Sequence, residues 1–249
     1  MCIRDRSWRD RINEFNYGVR FTLADGQREV TKYPNESGDI NTWYAGKLDG
    51  TIWGYTTVGI AQTQEEMDAH LANNKPNWGS KWGAGDVMYA DLNGDGEVTS
   101  GSSTLGDHGD LTVIGNSYAR YNFGLTLDGS WKGLDFSVFL QGVMKRDYWL
   151  SGPYFWGASG DEWQSACFTE HLDYWTPDNP DAYYPKPYFG GIDKNQKTQS
   201  GYLQNAAYLR VKNVQIGYTL PKSWTQKASM ESVRFYISGD NLLTLTGIS

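Results

Sequence analysis

The chain has 249 residues, enough for one large all-β domain or two ordinary ones. Its formal net charge of −7 argues against a nucleic-acid partner, whose phosphates need a basic face. With 11 Trp, 17 Tyr and 29 Gly but a mean hydropathy of −0.60, the composition suits strands, turns and exposed aromatic surface rather than a helical bundle.

The first seven residues, MCIRDRS, lack a basic segment followed by an apolar one, so they are not a signal peptide. They resemble a translated sequencing-adapter remnant and are set aside as a non-native leader, which leaves residues 8–249. Five segments then alternate apolar and polar residues with period two, the mark of half-buried strands. Phe15, Tyr17, Val19, Phe21 and Leu23 share one face of the first; Tyr121, Phe123, Leu125 and Leu127 share one face of the second. Leu134, Phe136, Val138 and Leu140 do so in the third, and Val233, Phe235 and Ile237 in the fifth. In the fourth, Leu209 and Val211 hold one phase and Val214, Ile216, Tyr218 and Leu220 the other, so a β-bulge is expected at Lys212–Asn213. The last residues, NLLTLTGIS, stop just past a strand pattern, and the chain reads as a piece of a longer protein.

The segments run roughly 9–13 residues. Ordinary strands are about 5–6 residues long, whereas barrel strands crossing a bilayer at a tilt need about 9–11. Short turns follow the second and fourth segments, while the other two connections are long, about residues 25–117 and 145–206. If the strands are antiparallel neighbours, both long connections fall at one end, the arrangement of an outer-membrane barrel. A soluble sandwich with long insertions fits the same pattern. Within the first long connection, TQEEMDAHLANN reads as a helix with Thr63 as N-cap, Glu66 three residues on, and Met67 and Leu71 on one face.

The stretch DLNGDGEVTS places Asp91, Asn93, Asp95, Gly96 and Glu97 at the first, third, fifth, sixth and seventh positions of a calcium loop. The twelfth position is Ser102 rather than a carboxylate; Asp107 or Asp110 is the candidate to complete the site. Without a fixed carboxylate the affinity expected is about 10⁻⁴–10⁻³ M, and an Asx-rich turn that binds nothing explains the same residues. In the second long connection, Trp156, Trp163, Tyr174, Trp175, Tyr183 and Tyr184 are candidates for stacking on sugar rings or for contact with a partner, set against an aromatic girdle or internal packing. Tyr148 and Trp149, just past a strand end, are the first candidates for that girdle. His70, His108 and His171 have no metal-ligand spacing, and no nucleophile or paired-carboxylate motif nominates an enzyme.

Taken together, VTKYPN, GTIWGYTTVGIAQTQEEM, GDVMYADLNGDGEV, TVIGNSYARYNFGLTL, WKGLDFSVFLQGVMKRDYW, YLRVKNVQIGYTLP and VRFYISGDNLL resemble, in order, the C-terminal part of the SusC/RagA family of TonB-linked outer-membrane transporters. The resemblance implies a 22-stranded transmembrane antiparallel β-barrel, of which this all-β chain supplies about five to seven long strands with long extracellular loops. It implies import of glycan fragments or peptides across a Gram-negative outer membrane, not catalysis. It further implies a SusD-like surface lipoprotein and the TonB complex as partners, the latter acting through an N-terminal plug. Ser102 departs from the acidic residue common at the end of the family's loop. The competing expectation is a secreted calcium-dependent carbohydrate-binding β-domain, with strands of five to six residues closing on an apolar core.

Overall fold

The structure, a computed structural model, describes residues 2–157, 167–188 and 192–248. Two compact units divide them: a sheet unit (residues 1–27, 118–146 and 205–249) and a loop unit (28–117 and 147–204).

The sheet unit holds six long strands: β1 (Cys2–Ile12), β2 (Phe15–Asp25), β3 (Arg120–Trp131), β4 (Leu134–Lys145), β5 (Leu203–Thr219) and β6 (Arg234–Gly247). They pair in chain order, each antiparallel to the next. Their lengths of 11 to 17 residues and the single continuous ladder match a segment of barrel wall that does not close on itself. The secreted β-domain is thereby disfavoured, because it required short strands around a closed apolar core.

Register puts like with like. Tyr17, Gly129, Phe136, Ile216 and Ile237 form one rung across β2 to β6; Phe21, Leu125, Leu140, Val211 and Leu243 form another, and Val19, Leu127, Val138 and Val214 lie between them. The opposite face is polar: Gly18, Asp128, Ser137, Gln215 and Ser238 share a rung, as do Arg20, Thr126, Phe139, Asn213 and Asp240. Phe139 is an aromatic intruder on that face. Arg234 bridges to Asp135 across the same face, and its guanidinium lies over Gly217, where a Cβ would collide with it.

The expected bulge is present. Phe139 pairs with Asn213 and Leu140 with Val211, so Lys212 is the extra residue that lets both halves of β5 keep their apolar side chains on one face. The β3–β4 hairpin turns on Lys132 and Gly133, with φ of 47° and 88°, the two left-handed residues of a tight hairpin turn. Two strands differ from expectation. Strand β6 continues nine residues beyond Ser238, past Asn241, whose φ of 53° marks an irregularity beside the bulge. Strand β1 was not anticipated at all: Cys2–Ile12 pairs along its whole length with β2, residues 2–7 included. Its charged residues hide the alternation, since Arg4, Arg6 and Asp10 stand opposite Leu23, Phe21 and Tyr17 in the phase that is apolar elsewhere.

The loop unit is held by short ladders: Thr51–Gly54 with Thr112–Asn116, Thr57–Ile60 with Val87–Tyr89, and the parallel pair Lys75–Pro76 with Glu97–Val98. The helix expected after Thr63 spans Gln64–Leu71. The Thr63 side chain accepts the Glu66 N–H at 3.1 Å, and the Glu66 carboxylate reaches back to the Gln62 N–H at 2.6 Å. Met67 is fully buried beside Ala61 and Met88. Among the described residues no helix is long and apolar enough to cross a membrane.

Candidate functional site

The aromatic residues of the two long connections meet in one core. Tyr55, Val87, Tyr89 and Val98 from the first pack with Phe155, Trp156 and Tyr202 from the second. The rings meet mostly edge to face, as their quadrupoles favour: Tyr55 and Tyr89 at 5.8 Å, Trp156 and Tyr202 at 4.7 Å, Tyr183 and Tyr184 at 4.8 Å. Burial raises the ionisation of the Tyr89 phenol far above its ordinary range, so it serves as a neutral donor to the Lys194 carbonyl and an acceptor from Gln199.

A buried polar clasp joins the same two connections. The Lys194 ammonium lies 2.6 Å from the Asp86 carboxylate and also donates to the Lys81 carbonyl. Asn195 donates to Asp86 at 2.9 Å and accepts the Val87 N–H at 3.0 Å. Every strong group in the clasp has a partner, which is the condition for an ion pair to persist in an interior.

This packing decides the place of the candidate aromatic residues. Trp156 and Trp175 are 7% and 6% exposed. They are core residues, not a surface platform, and the Trp175 indole donates to Gln62 at 2.8 Å. Trp149 likewise packs on this core, 6.0 Å from Trp156, rather than in a girdle. Tyr183 remains exposed, while Trp163 lies outside the described residues. Trp156, Tyr174 and Tyr184 line one side of a cavity of about 190 Å³ that His171, Pro187 and Tyr188 share. His171 accepts the Phe168 N–H on Nδ1, so Nε2 carries the proton that it donates to the Phe155 carbonyl. That imidazole is a strut without a free nitrogen.

The calcium-like loop is wound around its own carboxylates. Asp91 accepts the N–H groups of Gly94 at 2.6 Å and Gly96 at 2.8 Å, and Asp95 accepts that of Glu97. The bond from Gly96 is the main reason that the Asp91 carboxyl ionises below its ordinary range. The two candidates for the closing ligand separate clearly. Asp107 is taken up by Ser102, whose N–H and hydroxyl both donate to it. Asp110 is fully buried inside the loop, with N–H donors from Leu92 and Thr99 on its two oxygens. The donor set is only partly that of a cation site, since the Asn93 amide already donates to Asp95. These residues lie close in sequence and were legible from it; the Asp86–Lys194 clasp, between distant segments, was not.

No family model matches the chain. Two curated proteins of Formosa agariphila do: TonB-dependent receptor P3, 28% identical over 203 residues, and TonB-dependent receptor P26, 28% identical over 195 residues. The matches cover 81% and 76% of this chain but 18% of each relative. Among solved structures, the RagAB peptide transporter superposes with a TM-score of 0.63 at 22% identity, over 97% of this chain and 25% of its own. The RagAB peptide importer in the open-open state gives 0.64 at 20%, over 97% and 24%. In sequence the chain is similar to one segment of these TonB-dependent receptors, and in fold to one segment of the RagAB transporter. The sheet of six long strands thus has the fold of a segment of barrel wall, and the chain spans about a fifth to a quarter of the length of the proteins it matches.

Proposed function

We propose that the intact receptor imports glycan fragments or peptides across the outer membrane, working with a SusD-like surface lipoprotein and driven by the TonB complex. One observation supports this reading above the others: six long paired strands expose an apolar face, and the two long connections between them fold into a unit with its own core. In this reading the apolar rungs meet outer-membrane lipid, the polar rungs line the lumen and the short turns are periplasmic. The loop unit is extracellular, and its exposed surface around Tyr183 meets the lipoprotein or the substrate. The wall and the loops position and enclose; they carry out no bond chemistry. The test is growth and uptake of labelled oligosaccharides and peptides by cells with and without the intact gene, with affinity purification of the tagged receptor. Loss of uptake and recovery of a surface lipoprotein are expected; unchanged uptake of every substrate tried overturns the reading.

The loop Asp91–Ser100 is proposed as a calcium-braced turn, with Asp91, Asn93 and Asp95 as side-chain ligands, the Glu97 carbonyl as a fourth, and Asp110 as the carboxylate that completes the set. Calorimetry on the intact receptor is expected to give a dissociation constant of about 10⁻³ M or tighter that Asp91→Ala abolishes. Equal heats from both proteins leave it an ordinary turn.

A further inference from the structure

The turn between β5 and β6 carries more positive than negative charge in a chain that is acidic overall. From Leu220 to Met230 it reads LPKSWTQKASM, with two lysines, and Glu231 follows as the one carboxylate before β6. Lys222–Thr225 forms a helical turn that Gln226–Ala228 continues, and Ser229, with a φ of 54°, ends it. Thr225 is buried, and its carbonyl accepts the Met230 N–H at 3.0 Å. The turn is therefore an ordered knob rather than a slack connection. Yet Trp224 is 63% exposed, Met230 is exposed, and both lysines are exposed beside them.

The position of the knob gives these residues a partner. The β5–β6 ladder extends to the Leu220 N–H on the Val233 carbonyl, 2.9 Å, and the knob starts at the next residue. Two residues back lies the terminal apolar rung: Tyr218 and Phe235, joined by Leu134 and Trp131, all exposed. Lys132 sits beside that rung at the neighbouring turn, its ammonium 5.4 Å from the Trp131 ring. The apolar face thus runs without a break into a margin of Trp, Tyr and Lys. Such side chains, with an apolar body and a polar or cationic tip, partition to the boundary between hydrocarbon and water. Two unpaired lysines add attraction for negative charge there.

We infer that the Pro221–Met230 turn is an interfacial anchor: Trp224 and Met230 enter the boundary of the bilayer, and Lys222 and Lys227 bind anionic phospholipid headgroups. The inference rests on the reading of the sheet as a membrane-spanning wall. Continuity with the apolar rungs and charge complementarity select lipid over a protein partner.

The test uses the intact receptor, made cysteine-free and carrying a bimane fluorophore at Ser223→Cys, in bilayers with headgroup-labelled quencher lipids. Quenching by phosphatidylglycerol is expected to exceed that by phosphatidylcholine. Lys222→Gln with Lys227→Gln should reduce the preference by about fivefold per lysine. Trp224→Ala should weaken quenching by both lipids. Equal quenching by the two lipids, or a preference that survives the double substitution, overturns the anchor. A second fluorophore at Ile237→Cys, read with acyl-chain-labelled lipids, separates the two claims. Quenching there with no preference at Ser223 removes the anchor alone; no quenching there removes the membrane-spanning wall as well.

Discussion

In the loop unit the large apolar side chains are inside; in the sheet they are outside. Of the fifteen buried hydrophobic residues among those described, only Val143 and Ala206 belong to the sheet. Ile237, at 83% exposed, sits in a rung with Ile216 and Phe136, while Tyr89, Met67 and Val98 of the loop unit are sealed from solvent. On the proposed reading the same hydrophobic effect orders both, acting against different surroundings: water drives the loop unit to close on itself, whereas a wall in hydrocarbon keeps its backbone bonds in the ladder and turns its apolar rungs outward.

Substitutions on each side sharpen that contrast. The largest effect is expected inside the loop unit, where Trp156→Ala should cost about 3–5 kcal/mol, read as a lowered midpoint for that unit in denaturant unfolding of the intact receptor. Ile237→Arg is the decisive case for the sheet. At an exposed position of a water-facing sheet it would be nearly silent. On a lipid-facing rung it should cost about 2 kcal/mol, read by folding titration into lipid bilayers. Thr63→Ala removes the cap of the loop-unit helix and should cost about 1 kcal/mol, with Thr63→Ser restoring most of it.

The smallest effect is a pH dependence confined to the loop unit. Burial lowers the ionisation of His70, and its bond to the Tyr89 carbonyl at 2.8 Å only partly offsets this. The folded unit therefore binds the proton less readily than the unfolded chain. Its stability should fall as pH drops below about 6.5 and level off below the folded value. His70→Gln should flatten that slope in thermal melts between pH 7.5 and 5; an unchanged slope assigns it to other groups.

The wall was far more legible in the sequence than the loop unit. Alternation in β2 to β6 records the two faces directly, because each side chain's surroundings depend on its parity alone. The Lys212 bulge could be seen for the same reason, as a change of parity between Val211 and Val214. Strand β1 was missed because backbone pairing holds it while Arg4, Arg6 and Asp10 break the apolar phase. The far half of β6 was missed because Gly239, Asp240 and Asn241 spell a turn. Trp156 and Trp175 were legible as important but not as buried, since their neighbours come from the other long connection. The helix at Thr63 and the loop at Asp91 were readable because their bonds are local.

The extra residue at Lys212 gives the wall a kind of reading frame. Downstream of it, each residue of β5 faces the side that its neighbour in sequence would otherwise face, and β4 and β6 are matched to that choice. Removing Lys212 would shift the frame by one and send either Val214, Ile216 and Tyr218 or Leu209 and Val211 to the polar side. Insertions and deletions of one residue should therefore be tolerated in the connections and rejected in the strands. Over long divergence, length variation should gather in the loop unit while the wall changes residue types at fixed parity.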